Sequence, residues 1–262
     1  MNYELIKGDC IEQMKAMKPE TFDLTVTSPP YDNLRTYEGS LQWNEEIWKQ
    51  VLEQLYRVTK RGGVVVWVVG DATVKGSETG TSFKQALYAK EVGFNLHDTM
   101  VYRKETPTWN ISSKRYRQHT EYMFVLSKGK VATFNPIEDQ KVKNLKPRMC
   151  KSNRNGKPKY ELYIPKKEYT CRGNIWNYAV GGRGPNHPAI FPEALASDHI
   201  KSWSNEGDVV FDPFMGSGTT GKMAVQLNRK FVGVEKVDEY YSIAKERLVT
   251  ARSLQLELEV TE

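Results

Sequence analysis

The 262-residue chain has no apolar run near the roughly 20 residues that cross a bilayer, so a membrane-spanning helix is not expected. Residues 1–20 lack the basic, apolar and small-residue blocks of a secretory signal, which predicts a protein that stays in the cytoplasm, away from membranes. Cysteine is scarce: Cys10, Cys150 and Cys171 cannot build a disulfide framework, and none sits at zinc-ligand spacing with another cysteine or a histidine. The four histidines, His97, His119, His187 and His199, are too scattered to read as a ligand set, so no metal is expected. Internal repeats and low-complexity tracts are also missing.

Charge is present but unevenly placed. Between Lys128 and Arg172 there are 13 Lys or Arg against 4 Asp or Glu, a local net of +9 in a chain whose total is +6. The remainder is therefore slightly acidic. One basic segment on such a body suits a face that meets a polyanion, although a solvated loop rich in Lys, Asn, Pro and Ser has the same composition.

Short apolar runs alternate with amphipathic ones, the pattern of an α/β sheet with covering helices. Seven strands are expected, at Tyr3–Lys7, Phe22–Thr27, Gly63–Val69, Leu96–Tyr102, Glu121–Leu126, Asp208–Phe211 and Lys230–Val234. Asn44–Thr59 carries Ile47, Val51, Leu52, Leu55 and Val58 at helical spacing and should stop at Arg61-Gly62-Gly63. Further helices are expected over Ser82–Glu91, Pro192–Trp203, Gly218–Leu227 and Asp238 to about Leu248. From about Asn135 to Val180 the rhythm breaks: Pro136, Pro147, Pro158 and Pro165, with Asn155-Gly156, read as turns and irregular connections. The organisation that follows is two halves of one domain, 1–134 and 181–262, separated by an inserted recognition region over 135–180. Most of the tryptophans, including Trp43, Trp48 and Trp67, are expected in the core, while Trp109 and Trp176 border irregular stretches.

Two motifs carry chemistry. Residues 209–220, VVFDPFMGSGTT, followed by an amphipathic run and FVGVE, read as strand, glycine turn, helix, strand and acid. Glycines at a strand exit let the backbone approach a ligand, and Glu235 at the end of the second strand can accept bonds from ribose hydroxyls, which suits an adenosine-containing cofactor. Gly216, Gly218 and Gly221 satisfy GxGxxG, so a nicotinamide dinucleotide is an alternative; a P-loop is excluded because no Gly-Lys-Ser/Thr follows. Asp212, directly before the loop, would repel a pyrophosphate and welcome a cation. S-adenosyl-L-methionine brings an ammonium and a sulfonium beside its adenosine. The plainer reading of this segment is a strand-to-helix turn with Asp212 capping the helix.

The second motif is Ser28-Pro29-Pro30-Tyr31 at the exit of FDLTVT. Two prolines stiffen a turn and remove its donors while leaving its carbonyls. Such an acceptor cluster suits an exocyclic base amine, whose two protons the Ser28 hydroxyl and the Pro29 carbonyl would accept. Tyr31 would stack on the base, as flipped bases are commonly held.

Together, TSPPY and DPFMGSGTT resemble the DNA amino-methyltransferases, with the catalytic motif ahead of the cofactor motif as in the β group of that family. Lys7-Gly8-Asp9-Cys10, HTEYMFVLSKG at 119–129 and HPAIFPEALA at 187–196 fit the same resemblance, which covers most of the chain outside 130–180. It implies the doubly wound, seven-stranded sheet of class I S-adenosylmethionine-dependent methyltransferases, circularly permuted. Cofactor contacts would come from Asp9, Cys10, Phe191, Asp212, Pro213, Phe214, Gly216, Ser217, Gly218, Thr219, Thr220 and Glu235. Ser28, Pro29, Pro30 and Tyr31 would hold the target amine. Neither a Pro-Cys dipeptide nor a Cys/His pair of the carbon-methylating kind is present, which agrees with amine methylation.

Ser28 in the first position of the tetrapeptide, and HPAIFP, lean in this family toward N4 of cytosine, with N6 of adenine the alternative. The resemblance implies double-stranded DNA as substrate and a flipped base. The placement of charge makes Arg115, Arg117, Arg148, Lys151, Arg154 and Lys157 candidate DNA contacts, each of which reads also as solvated charge. A cognate restriction endonuclease or a solitary existence, and a homodimer, are all compatible with it. So is a non-catalytic DNA-binding module that keeps the fold.

Overall fold

The structure, a computed structural model, describes residues 2–30, 43–108, 114–143, 145–154, 157–164, 166–179 and 192–261. In chain order the elements are β1 (Tyr3–Lys7), α1 (Cys10–Ala16), β2 (Phe22–Thr27), α2 (Glu45–Val58), β3 (Thr59–Val69), β4 (Thr73–Val74), β5 (Ser77–Glu78), α3 (Thr81–Val92), β6 (Asn95–Thr108) and β7 (Gln118–Ser127). They continue with β8 (Gln140–Lys141), β9 (Arg148–Arg154), β10 (Lys157–Tyr163), β11 (Tyr169–Thr170), β12 (Ile175–Tyr178), α4 (Glu193–Trp203), β13 (Val209–Asp212), α5 (Thr219–Gln226), β14 (Lys230–Glu235) and α6 (Asp238–Thr261).

One large sheet organises the body, in the order β1-β14-β13-β2-β3-β7-β6-β12. All neighbours pair in parallel except β7, which runs antiparallel to both β3 and β6. From β13 the chain turns through α5 to β14 on one side. From β2 it turns through α2 to β3 on the other. The carboxyl ends of β13 and β2 therefore flank the point where the winding reverses, which is where open α/β sheets hold their ligands.

The local chemistry explains the elements. Asn44 caps α2 by accepting the Ile47 amide at 3.1 Å, and the helix buries Trp48, Val51, Leu52, Leu55 and Val58 on one face. Val64–Val69 is buried throughout, as a central strand covered on both sides requires. Trp67 lies inside this core, its indole N–H donating to the Gln85 side-chain oxygen at 2.9 Å. Phe22 and Phe211 stack at 4.1 Å and pin β2 against β13.

Three differences from the expected elements have physical causes. The strand after α2 begins at Thr59, before Arg61-Gly62-Gly63, because Gly62 at φ +82° bends within the strand without ending it. An eighth strand, β12, lengthens the expected seven-stranded sheet; its four residues alternate exposed and buried, with Trp176 and Tyr178 inside, so Trp176 packs in the body. Helix α6 continues to Thr261, well beyond Leu248.

By its internal contacts the chain divides into a body, 1–135 with 174–262, and a smaller unit, Pro136–Gly173. The smaller unit, expected to be irregular, contains an antiparallel hairpin in which Arg154 lies opposite Lys157 and Arg148 opposite Tyr163, and a second pairing of β8 with β11. Periodicity does not reveal these strands, because they carry charged residues where a half-buried strand would alternate with apolar ones. Tyr160 and Leu162 on β10, and Met149 on β9, are exposed. Arg172 to Asp139 and Lys167 to Glu138 are ion pairs within the unit.

Candidate active site

The two chemistry-bearing turns leave neighbouring strands. Register pairs Val210 with Leu24 and Phe211 with Thr25, so the last residues of β13 and β2 emerge side by side. Two hydrogen bonds tie them. The buried Thr27 hydroxyl donates to Asp212 Oδ1 at 2.7 Å, and the buried Thr220 hydroxyl donates to the Val26 carbonyl at 3.1 Å. Ser28, half-buried, Pro29, buried, and Pro30, half-buried, follow Thr27 directly. Tyr31 and Phe191 lie outside the described residues.

The glycine loop folds back onto β14. The Met215 amide donates to the Val234 carbonyl at 3.0 Å, and the Gly216 amide donates to Glu235 Oε2 at 2.8 Å. Gly216 at φ +52° and Gly218 at φ +81° take left-handed backbone that glycine reaches without the penalty of a Cβ. Glu235 Oε1 accepts the Val237 amide at 2.8 Å, so the carboxylate is oriented from both sides. Burial raises its pKa, against those amide bonds.

Asp212 is the electrostatic centre of the site. It is fully buried, and burial first of all lifts its pKa to about 7; the hydroxyls of Thr27 and Thr220 and the Phe214 amide oppose that rise, and Glu235 adds to it. Among the described residues no cation pairs with it. A cationic ligand beside this carboxylate would supply the missing counter-charge, and Glu235 offers free lone pairs to hydroxyls. These acceptors fit S-adenosylmethionine. A pyrophosphate would face one buried and one half-buried acid.

Asp9 stands across the same end of the sheet. The Gly8 amide donates to the Glu235 carbonyl at 2.9 Å, which docks the β1 turn on the end of β14. Asp9 caps α1, accepting the Ile11 amide at 3.0 Å, and its other oxygen is 3.6 Å from Lys236 Nζ. Cys10 is half-buried, its thiol pushed up to about 12 by burial and by Asp9, so it is a neutral packing group at ordinary pH.

The remaining loop residues point to internal work. Pro213 is buried; Phe214 is half-buried, edge-on to Trp43 at 5.4 Å. Arg247 on α6 donates to the Ser217 carbonyl at 2.7 Å and to the Ser217 hydroxyl at 3.0 Å, with Thr219 Oγ1 at 3.5 Å. The same guanidinium donates to Glu193 on α4 at 2.8 Å, and Lys222 on α5 donates to Glu193 at 2.7 Å. Neither Thr27 nor Arg247 was among the expected site residues. Thr27 opens the TSPPY motif, but nothing in the sequence signals its bond to Asp212, and Arg247 carries no signal.

The candidate DNA contacts fall in both units. In the body, Arg115 pairs with Glu78 at 3.4 Å and also donates to the Gly76 carbonyl, while Arg117 is exposed. In the smaller unit, Arg148, Lys151 and Arg154 lie on β9 and Lys157 on β10, with Lys151 exposed. Among the described residues no group of three or more His, Cys, Asp or Glu could hold a metal ion, and no helix is long and apolar enough to cross a membrane.

Comparison with known proteins identifies the family. The N6/N4 methyltransferase family model, described as DNA methylase, matches residues 22–246. Orphan methyltransferase M.BamHII of Bacillus amyloliquefaciens is 54% identical over 254 residues, covering 92% of this chain and 90% of that protein. Type II methyltransferase M.SmaI of Serratia marcescens is 29% identical, covering 95% and 91%. Among solved structures, the DNA modification methylase TTHA0409 of Thermus thermophilus, in complex with S-adenosyl-L-methionine, is 26% identical with a TM-score of 0.63, covering 95% of each chain. PvuII DNA methyltransferase (cytosine-N4-specific) shares the fold, with a TM-score of 0.71 at 20% identity over 98% of this chain and 93% of that one. The family model and the relative at 54% identity show the family to which this chain belongs: it is a DNA amino-methyltransferase that uses S-adenosylmethionine.

Proposed function

We propose that this methyltransferase modifies N4 of cytosine in double-stranded DNA. The observation that carries the choice of base is Ser28, half-buried at the exit of β2 and one residue from the Thr27–Asp212 bond. A hydroxyl there accepts one amine proton while its neighbour, the Pro29 carbonyl, accepts the other. The nitrogen lone pair is thereby freed from the ring and turned toward the methyl. S-adenosylmethionine supplies an electrophilic methyl group whose leaving group is a neutral thioether. As the N–C bond forms and the C–S bond breaks, the amine carries positive charge and sheds one proton along the hydrogen bond that already holds it, to the turn and then to solvent. Tyr31 closes the pocket by stacking on the base.

In this reading Asp212 is the counter-charge for the methionine end, with Pro213 and Phe214 forming the loop wall. Gly216 and Gly218 give the backbone close approach, and Glu235 receives the ribose. Asp9 and Cys10 border that pocket from the β1 turn, and Phe191 belongs to the segment entering α4. Ser217, Thr219 and Thr220 serve through the bonds that fix the loop. The smaller unit, with 11 Lys or Arg against 4 Asp or Glu over residues 136–173, supplies phosphate contacts to the duplex; Arg115 and Arg117 are candidate contacts on the body. The similarity to M.BamHII, an orphan methyltransferase at 54% identity, supports a solitary enzyme over one paired with a nuclease.

The test is transfer of a labelled methyl group to mixed-sequence duplex DNA, followed by nucleoside digestion and mass analysis. Methylation of the cytosine amine is expected. Label in the adenine amine would keep the chemistry and reverse the choice of base.

A further inference from the structure

We propose that Thr27 is a positioning residue that holds the Asp212 carboxylate ionised for the cofactor and lashes it to the base-binding turn. The proposal rests on the reading of Asp212 as the cofactor's counter-charge. Thr27 is fully buried, its hydroxyl is 2.7 Å from Asp212 Oδ1, and the next residue in the chain is Ser28. One side chain therefore touches the cofactor motif and borders the catalytic motif, across 185 residues of sequence.

The surroundings of Asp212 make this hydroxyl consequential. From β2 comes the Thr27 hydroxyl, from α5 the Thr220 hydroxyl, and from the loop the Phe214 amide at 3.0 Å; the titratable group that acts on it is Glu235 on β14, another acid. Beyond Glu235 stand Asp9 and Lys236, 3.6 Å apart, already paired with each other. Donated hydrogen bonds are thus what favours the charged carboxylate against burial. Thr220 divides its role, since its hydroxyl proton is directed at the Val26 carbonyl at 3.1 Å. Thr27 is the side chain whose proton is committed to Asp212.

A hydroxyl in this place does two things at once. It lowers the cost of charging Asp212 when a cation arrives, and it strengthens as the carboxylate becomes charged, because bonds to ionised acceptors are stronger than bonds to neutral ones. Filling the cofactor site therefore stiffens the last residue of β2, from which Ser28 and Pro29 project. The grip on the target amine becomes tighter with cofactor in place, and the coupling is reciprocal.

The experiment measures the affinity of S-adenosylmethionine by calorimetry from pH 6 to 9 in the full chain and in Thr27→Val, Thr27→Ala, Thr27→Ser and Asp212→Ala. Loss of the hydroxyl should weaken binding roughly tenfold at pH 7. The deficit should shrink toward pH 9, where Asp212 is ionised without help. The cofactor's own amine titrates in every variant and cancels in the comparison. Thr27→Ser should bind like the parent, and circular dichroism with thermal melting identifies any variant that has not folded; should valine not fold, alanine carries the test. The second readout is binding of duplex DNA with and without S-adenosylhomocysteine: the parent should gain affinity with the ligand, and Thr27→Val should lose that gain while keeping its affinity for DNA alone. Parent-like affinity and pH profile in both Val and Ala variants would overturn the proposal, as would a serine variant as weak as valine. Normal cofactor binding by Asp212→Ala would instead remove the reading on which it rests.

Discussion

Asp212 is a carboxyl group deprived of water with no cation paired to it among the described residues, and that state affects the stability of the cofactor-free enzyme. Its folded pKa, about 7, lies above the ordinary value of 3.8. A raised folded pKa means stability that is complete below the unfolded value and lost as the pH rises through the folded one. Between about pH 4 and pH 7 the cofactor-free protein should therefore weaken, by at most on the order of 4 kcal/mol from this group. Asp212→Asn cannot ionise and should flatten the profile, so that the two proteins converge in acid and the asparagine variant melts higher above pH 7. Thermal melting across this range checks it, and equal pH slopes for the two proteins would contradict it. Asp212 was legible in the sequence because its meaning is local, an acid between a strand and a glycine turn. The roles of Thr27 and Arg247 were not, because each acts on a partner that only the packing of strands and helices brings near.

Among the elements, α5 depends on glycine for a reason unrelated to backbone freedom. A Cβ on Gly221 would stand 2.5 Å from the Phe231 ring, and one on Gly233 would stand 2.5 Å from Met215 Sδ and 2.7 Å from the same ring. Phe231 thus fills the space that two missing side chains leave between α5 and β14, which keeps the loop preceding the helix close to the ends of β13 and β14. Gly221→Ala should cost about 1–3 kcal/mol through overpacking and weaken the cofactor by shifting the loop. Thermal melting and calorimetry read both effects; an unchanged melting temperature would mean that the ring yields without strain. The GxGxxG spacing was therefore legible, but its third glycine serves helix packing, as in dinucleotide folds, without implying a dinucleotide. Long periodic elements such as α2 were equally legible. Short ones were not: α1 has seven residues and owes its start to the Asp9 cap, and β12 has four. Periodicity needs more turns than these provide.

At the scale of the molecule, charge separates the two units. The body carries the proposed site, whereas residues 136–173 carry 11 Lys or Arg against 4 Asp or Glu, with Met149, Tyr160 and Leu162 exposed. The sequence disclosed this asymmetry as composition but not the hairpin, since its strands mix charged and apolar residues with no regular alternation to detect. If the hairpin lies along the phosphates, each cation it contributes releases a condensed counterion, and the logarithm of affinity falls with the logarithm of salt by roughly 0.9 per contact. Replacing Lys151, Arg154 and Lys157 together by glutamine should therefore reduce the slope by up to about 3 while leaving cofactor affinity in the absence of DNA unchanged. Titration of a duplex at several salt concentrations measures the slope directly. Weaker binding with an unaltered slope would indicate that these residues read base edges or support the hairpin. An unaltered slope with unaltered affinity would move the phosphate contacts to the body, where Arg115 and Arg117 would become the next residues to replace.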